Sequence, residues 1–239
     1  MFVVRHGQRA DQADGEWWLT AARPADPPLT DLGLRQAAAT GEALAPLASA
    51  ASVIYSSPFT RCVQTAAQIA NKLGLRIRIE PGIGEELHAD WFDFSPRTDC
   101  GSGMPIDEEM STAAIAARFG HQLIDTTYEP LYDARERGGQ SRGSGGSRTM
   151  PPRTITFPEA WHEANERYRT TLAHLQEVSP FSVLVTHGAG VQACGESCEG
   201  VDMAEIDIDY CCIQELRRQG VYQWKPVTLA SAKHTQHLE

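Results

Sequence analysis

The chain has 239 residues, of which 41% are apolar and 22% charged, and its formal net charge is −10. These values are typical of a globular domain, and the negative charge argues against nucleic acid as a partner. No stretch approaches the roughly 20 apolar residues of a membrane span, and no leader segment precedes the first apolar run. We therefore expect a cytoplasmic protein that has no membrane partner.

The cysteine spacing predicts free thiols in a reducing compartment, because no paired CxxC framework is present. The alternative is a zinc site that uses Cys194 and Cys198. The six cysteines are Cys62, Cys100, Cys194, Cys198, Cys211 and Cys212.

Apolar runs typical of buried strands alternate with helical patterns, which predicts an α/β sheet with crossover helices. The predicted strands are Phe2–Val4, Ser52–Tyr55, Arg76–Ile79 and Ser182–Thr186, followed by a closing hairpin of Ile213–Leu216 and Val221–Trp224. The predicted helices begin near Asp31, with Thr30 as the N-cap, and cover Thr60–Leu73, with Gly74 as the C-cap, and Phe157–Glu177.

Two stretches interrupt this alternation. Residues 84–130 are irregular in pattern, and residues 135–153 form a Gly/Ser/Arg segment with almost no apolar content. Such a composition buries too little surface to offset its ordering entropy, so we expect a mobile loop there. Both stretches are interpreted as an insertion, at about residues 84–156, on a single domain that spans residues 1–239.

Chemically active side chains follow each of the four predicted strands. Parallel strands bring their carboxyl ends to one edge of a sheet, where ligands bind. These side chains would then share one pocket. In strand order they are Arg5, His6 and Arg9; Arg61 in the first turn of the next helix; Glu85 and Glu86; and His187, which is followed by Gly188.

This combination of residue types suits phosphoryl transfer without a metal. A neutral imidazole can attack phosphorus, and guanidinium groups can hold the phosphate oxygens in a bidentate fork. A carboxylic acid can protonate the leaving alcohol and then, as a carboxylate, activate water. The residues themselves leave open whether that acid is Glu85 or Glu86.

Four stretches, in this order, resemble the histidine phosphatase superfamily, also called phosphoglycerate mutase-like. They are Val4-Arg5-His6-Gly7-Gln8-Arg9, Pro28-Leu29-Thr30-Asp31-Leu32-Gly33, Tyr55 to Ala66, and Val185-Thr186-His187-Gly188. The stretches Ser56 to Ala66 and Ile208-Asp209-Tyr210-Cys211-Cys212-Ile213 are most similar to the eukaryotic tyrosine-directed phosphatases that suppress T-cell receptor signalling and to steroid-phosphate phosphatases.

The resemblance implies a three-layer α/β/α domain with a mostly parallel sheet. It implies His6 as the phosphorylated nucleophile and Glu85 as the acid, with Glu86 as the alternative. The implied phosphate contacts are Arg5, Arg61 and His187, together with Arg9 and Gly188. Arg9 matches the Arg-His-Gly-x-Arg form of the phosphatase branches rather than the mutases.

The expected activity is that of a metal-independent phosphomonoesterase that needs no cofactor and takes a phosphorylated small molecule or phosphoprotein as substrate. Two alternatives remain open. One is phosphoglycerate mutase or sugar bisphosphatase chemistry, and the other is a weakly active phosphate-binding scaffold. A homodimer is an open possibility.

Overall fold

A six-stranded sheet in the order β3-β2-β6-β1-β7-β8 forms the centre of the molecule. The computed structural model describes residues 1–92, 106–133, 153–220 and 223–238. The strands are β1 Phe2–Arg5, β2 Val53–Ser56, β3 Ile77–Ile79, β6 Ser182–Thr186, β7 Ile213–Gly220 and β8 Gln223–Ser231, while β4 Tyr132–Asp133 and β5 Arg153–Thr154 form a separate pair. The helices are α1 Ala10–Ala13, α2 Asp31–Leu44, α3 Thr60–Leu73, α4 Thr112–Phe119, α5 Trp161–Val178 and α6 Gly188–Glu196.

Alternating side chains of the central strands divide the core into two layers. Val4, Ile54 and Val185 pack in the cluster that also contains the buried residues of α2, α3 and α4. Val3, Tyr55 and Leu184 belong to the opposite cluster, which contains residues of α5 and α6. Helices therefore cover both faces of the sheet, which confirms the predicted three-layer α/β/α fold.

The strands that precede the candidate site residues are parallel. β3, β2, β6 and β1 pair in parallel, and only β7 and β8 run antiparallel to their neighbours. The prediction of a mostly parallel sheet is confirmed. The carboxyl ends of these four strands consequently lie at the same edge.

Local end signals account for the two helices that were predicted most closely. The Thr30 hydroxyl accepts a hydrogen bond from the Gly33 amide at 3.0 Å and so caps α2. Helix α3 ends at Gly74, whose φ of 66° lies in the left-handed region. Helix α5 begins at Trp161 rather than Phe157, because Pro158 disfavours helical geometry at the residue before it.

Several elements depart from the sequence-based expectations, among them α4, β8 and α6. The stretch expected to be irregular contains α4, whose alanine-rich sequence is capped by the Ser111 hydroxyl. Strand β8 continues through Pro226 to Ser231, because an edge strand tolerates a missing N–H. Helix α6 was not predicted, since its glycines lower helix propensity. A Cβ at Gly190 would lie 2.3 Å from the Thr186 hydroxyl, so this close packing requires glycine.

Several expectations concern residues at the limits of the described chain. The Gly/Ser/Arg segment lies outside the described residues, except for Arg153 in β5. Five cysteines are free and buried thiols, as predicted, and Cys100 lies outside the described residues. Within the described ranges, no third ligand joins Cys194 and Cys198 to form a metal site. No helix in those ranges is long and apolar enough to cross a membrane.

Candidate active site

The parallel strand ends bring together His6, Arg61, Glu85 and His187. Glu85 Oε2 lies 3.2 Å from Arg61 Nη2 and 3.1 Å from His187 Nδ1. The rings of His6 and His187 meet edge to face, with their centroids 5.3 Å apart. We call this buried group of four side chains the phosphate end of the site, after the sequence-based expectation that it binds a phosphate group.

The backbone determines which nitrogen of His6 is available for chemistry. His6 Nδ1 lies 2.8 Å from the carbonyl oxygen of Gly7, which can only accept a hydrogen bond. Nδ1 therefore carries the proton, and Nε2 has a free lone pair. The Gly7 amide in turn donates to the Thr65 hydroxyl at 3.1 Å, which ties this loop to α3.

His187 is oriented through both of its ring nitrogens. Its Nδ1 donates to the Glu85 carboxylate, which leaves Nε2 to accept from the Ser57 hydroxyl at 2.8 Å. Phe59 packs edge to face against the same ring, with the centroids 5.2 Å apart. These contacts hold a buried imidazole in one tautomer.

Arg61 is the most deeply buried cation at the site, with 1% of its surface exposed. Its Nη2 donates to Glu85, while its Nε and Nη1 are buried without a hydrogen-bond partner among the described residues. Buried donors on a guanidinium are costly to leave unpaired. Unpaired donors on a cation at a ligand cavity indicate a site for an anion.

The other two arginines are less tightly enclosed. The Arg5 Nη1 donates to the Ile208 carbonyl, and its guanidinium lies 4.3 Å from the centre of the Tyr210 ring. Arg9 makes a bidentate pair with Asp11, with both hydrogen bonds at 2.7 Å. Both arginines line the same cavity as Arg61 and Glu85.

The cavity has a volume of about 460 Å³, and both charged and apolar residues line it. The beginning of α6 at Gly188 lies at the same cavity. We call four of the apolar lining residues the mouth. The mouth residues are Trp18, Pro24, Trp91 and Phe92.

Burial and neighbouring charges shift the pKa values at the phosphate end. Burial, together with the Arg61 charge, holds the pKa of His6 well below its usual value. Burial also lowers the pKa of His187, to about 4, although Glu85 opposes this shift. Burial alone would raise the pKa of Glu85, but His187 and Arg61 outweigh it and lower that pKa. At neutral pH the free site therefore holds neutral imidazoles and an ionised carboxylate.

The structure separates the two candidate acids. Glu85 reaches the histidines, whereas Glu86 contributes to neither the ligand cluster nor the cavity lining. Burial raises the pKa of Glu86, which is coupled electrostatically to His88, Glu159 and Arg167. Geometry therefore favours Glu85 over Glu86 as the carboxylate that reaches a bound phosphate ester.

The profile of the histidine phosphatase superfamily (branch 1) matches residues 1–98, which include Arg5, His6, Arg61 and Glu85. The chain carries a histidine phosphatase superfamily domain. This result confirms the resemblance, and three of the four sequence stretches lie within the matched residues; Val185-Thr186-His187-Gly188 lies outside them.

Two curated proteins illustrate the relatives of this histidine phosphatase domain. Ubiquitin-associated and SH3 domain-containing protein A of Mus musculus is 35% identical over 92% of this chain and 38% of its own length. Ecdysteroid-phosphate phosphatase of Drosophila melanogaster is 25% identical over 84% of this chain and 27% of its own length. The chain spans less than half of the length of these relatives.

Solved structures support the same fold. Ecdysone phosphate phosphatase from Bombix mori, in complex with tungstate, superposes with a TM-score of 0.59 at 18% identity, over 95% of this chain and 91% of that chain. A mycobacterial glucosyl-3-phosphoglycerate phosphatase gives a TM-score of 0.57 at 21% identity, over 95% and 97% of the two chains. At these identities the likeness establishes a phosphoglycerate mutase-like fold.

The phosphate end of the histidine phosphatase domain also has the donor types of a metal site. Ligand atoms of His6, Glu85 and His187 lie within 4.8 Å of one another, the only such group found among the described residues. Arg61 donates to the same Glu85 oxygen that lies near His187. A metal ion there would be repelled by that guanidinium, so the electrostatics favour an anion.

Sequence reasoning did not assign roles to several residues of the site. Ser57 was interpreted only as part of a strand end, although Ser-Ser-Pro directly precedes the helix that carries Arg61. Tyr210 was noted only within a family stretch. The mouth residues Trp18, Trp91 and Phe92 had no local pattern, because they come from loops whose path depends on tertiary packing.

Proposed function

We propose that this domain is a metal-independent phosphomonoesterase that forms a phosphohistidine on His6. The observation that carries the proposal is the neutral His6 ring, with Nε2 free, beside buried Arg61 donors that have no protein partner in the described chain. This arrangement supplies a nucleophile next to an unfilled anion site. The family and the phosphatase relatives support a hydrolase of this class.

The first chemical step follows from these positions. Arg5 and Arg61 donate to the phosphate oxygens, and Arg9 and the Gly188 end of α6 lie at the same cavity. His187 Nδ1–H donates to Glu85 in the free site and can donate to a phosphate oxygen once Glu85 is protonated. His6 Nε2 attacks phosphorus and forms an N–P bond, while the P–O bond to the alcohol breaks. The departing alkoxide takes a proton from Glu85.

Glu85 must be protonated for this step, although its pKa is low in the free site. A bound phosphate group offsets the positive charge of Arg61 and so raises the pKa of the adjacent carboxyl group. The proton can arrive with the substrate, because phosphate monoesters have a second pKa of about 6. Substrate binding therefore supplies the proton and the raised pKa that let Glu85 act as the general acid.

The second step returns the site to its starting state. Water attacks the phosphorus of phosphohistidine, Glu85 accepts the water proton, and the N–P bond breaks. Inorganic phosphate then leaves and takes the proton from Glu85, so that Glu85 is again ionised and His6 is again neutral. One carboxyl group serves as acid and then as base.

The mouth supports a preference among substrates. Three aromatic rings and Pro24 line the same cavity as Arg61 and Glu85, which favours an alcohol that carries an apolar ring. A sugar or glycerate leaving group would bury its hydroxyls against these rings. The proposed substrates are accordingly phosphate esters of ring-bearing apolar alcohols, either free or as part of a protein.

The proposal is tested with the purified chain, p-nitrophenyl phosphate and a chelator. We expect turnover in the presence of the chelator and a loss of roughly 10⁴-fold or more in His6→Ala. The control is His162→Ala, which removes an exposed histidine of α5. Rapid quenching with ³²P-labelled substrate should trap an acid-labile phosphoenzyme in the wild type and not in His6→Ala.

Other outcomes would overturn the proposal. Activity that requires an added divalent metal would favour a metal site at His6, Glu85 and His187. Tight phosphate binding with negligible turnover would favour a binding scaffold. Phosphate transfer between sugar or glycerate hydroxyls at a rate well above hydrolysis would favour a mutase.

A further inference from the structure

A buried ion pair lies next to the loop that carries Glu85 and is not needed for any step above. Arg167 of α5 donates through Nε and Nη2 to the two carboxylate oxygens of Glu159, at 2.7 and 2.6 Å. Both side chains are 4% exposed. Removing two charges from water is costly even when they pair, and an apolar pair often packs as stably. Packing alone therefore does not account for this buried ion pair.

The remaining donors of Arg167 bind the main chain of residues 82–85, which we call the acid loop. Nη1 donates to the carbonyl oxygens of Gly82 and Gly84, at 3.0 and 3.2 Å. Nη2 donates to the carbonyl oxygen of Glu85 itself, at 2.9 Å. One guanidinium thus joins the buried carboxylate of Glu159 to three carbonyls of the loop.

Two hydroxyl groups complete the set of contacts. The Tyr168 hydroxyl donates to the Gly84 carbonyl at 2.5 Å, and the Thr186 hydroxyl donates to the Ile83 carbonyl at 2.7 Å. Every carbonyl oxygen of residues 82–85 therefore accepts a hydrogen bond from a buried side chain. The backbone of a short loop is held at each successive peptide.

Glu159 extends the same restraint to the other side of Glu85. Its amide donates to the Leu87 carbonyl at 2.9 Å, and its carboxylate accepts from the Leu87 amide at 3.4 Å. The chain is consequently held both before and after Glu85. Its carboxylate then has little freedom to move away from His187 and Arg61.

We propose that Arg167, paired with Glu159 and assisted by Tyr168, is a positioning residue that sets the location of the Glu85 carboxyl group for proton transfer. This proposal rests on the proposed phosphatase function. Proton transfer to the leaving oxygen requires hydrogen-bond distance, and a displacement of about 1 Å can cost roughly 10²-fold in rate. Phosphate binding depends on Arg5, Arg61 and His187 and would not share that loss.

Leaving groups that differ in acidity isolate the contribution of the acid. Phenyl phosphate has a basic leaving group that needs a proton, whereas 2,4-dinitrophenyl phosphate has a stable anion that does not. The kinetic constant is kcat/KM, because it reports steps only through the first irreversible one and excludes hydrolysis of the phosphoenzyme. Inhibition by inorganic phosphate measures the anion site separately.

The first variant is Arg167→Lys, which retains a cation opposite Glu159 but loses the planar fork that reaches three carbonyls. We expect kcat/KM to fall roughly 10- to 100-fold for phenyl phosphate and less than about 3-fold for 2,4-dinitrophenyl phosphate. The inhibition constant for phosphate should stay within about 2-fold of wild type. Lower folding yield alone would reduce both substrates equally.

The second variant is Tyr168→Phe, which removes one hydroxyl and retains the ring. It should show the same leaving-group dependence with a smaller loss, roughly 3- to 10-fold for phenyl phosphate. Its matched control is Tyr55→Phe, which removes another buried hydroxyl. That hydroxyl is bonded to Ser179 at 3.0 Å and Arg78 at 3.3 Å, and not to a carbonyl of the acid loop. The ratio of the two substrates should not change in that control.

Equal losses for both substrates, or a weakened affinity for phosphate, would overturn the positioning role. If Arg167→Lys does not fold, Tyr168→Phe decides the question by the same ratio. Failure of the proposed function is recognised separately. It would appear as absent wild-type turnover or as activity retained in His6→Ala, before any variant of the acid loop is measured.

Discussion

The phosphate end and the mouth are built in different ways. At the phosphate end, His187 is fully buried and its neighbours come from the ends of parallel strands and the first turn of α3. At the mouth, Trp91 is 53% exposed and lies in a short turn outside the sheet. The phosphate end is closed and held by hydrogen bonds, whereas the mouth is apolar and ranges from buried at Pro24 to exposed at Trp91.

Under the proposed function, this difference separates catalysis from substrate selection. Every phosphomonoester presents the same group to the phosphate end, so its geometry can be held by the sheet. The alcohol varies between substrates, and loops can change around it without disturbing the strand ends. Substitutions at the phosphate end should therefore change rates for all substrates, and substitutions at the mouth should change the choice among them.

The largest expected effect separates the neighbouring carboxylates Glu85 and Glu86. Glu85→Gln preserves shape but removes the acid, so kcat/KM for phenyl phosphate should fall roughly 10²- to 10⁴-fold. Glu86→Gln is the matched control and should change it less than about 3-fold, since Glu86 does not line the cavity. Steady-state kinetics on both variants measures this contrast. The reverse ranking would make Glu86 the acid.

A second prediction concerns stability and reflects the burial of the phosphate end. The pKa of His187 is about 4 in the folded protein and about 6.5 in the unfolded chain. As the pH falls below 6.5, His187 binds a proton in the unfolded chain but not in the folded protein. The free energy of unfolding therefore decreases. Between pH 7 and pH 5 the free energy of unfolding should fall by about 2 kcal/mol through this residue.

Urea unfolding at the two pH values measures that loss in phosphate-free buffer. In His187→Gln the number of protons bound on unfolding near pH 5 should be about one smaller than in wild type, so the free energy of unfolding should depend less on pH. The control is His162→Gln, because His162 is exposed on α5. An unchanged pH dependence in His187→Gln would mean that the phosphate end is hydrated and open, which would erase the contrast with the mouth.

A third prediction tests how strictly the phosphate end orients its histidine. Ser57→Ala removes the hydroxyl bonded to His187 Nε2, and kcat/KM should fall roughly 10-fold for every phosphate ester. The matched control is Ser182→Ala. It removes a buried hydroxyl that has no hydrogen-bond partner among the described residues, and it should be neutral. A loss confined to one class of alcohol would show that Ser57 acts in substrate selection instead.

The sequence predicted the phosphate end more completely than the mouth for a physical reason. His6 and His187 each follow a short apolar strand directly, and Arg61 lies in the first turn of the helix after another. Local periodicity therefore locates them, and parallel pairing brings them together. Thr30 and Gly74 are equally local, because a cap acts within one helical turn. Features of this kind can be detected without a tertiary structure.

The residues whose roles were not predicted have contact partners that are distant in the sequence. Arg167 lies more than 80 residues from the loop whose carbonyls it binds, and nothing near it in sequence indicates that partner. Trp18 and Trp91 converge on one mouth from separate turns. Whether Glu85 or Glu86 reaches the histidines likewise depends on side-chain direction. That direction differs between adjacent residues, and composition does not reveal it.

The smallest expected effect tests the mouth. Trp91→Ala removes an aromatic wall, so KM should rise roughly 3- to 10-fold for an aryl phosphate such as naphthyl phosphate. The constant for inhibition by inorganic phosphate should not change, because Arg61 and the histidines are untouched. Phe181→Ala serves as the control, since Phe181 is also exposed but does not line the cavity. A parallel rise in the phosphate inhibition constant would mean that Trp91 also supports the phosphate end. The mouth and the phosphate end would then not act independently.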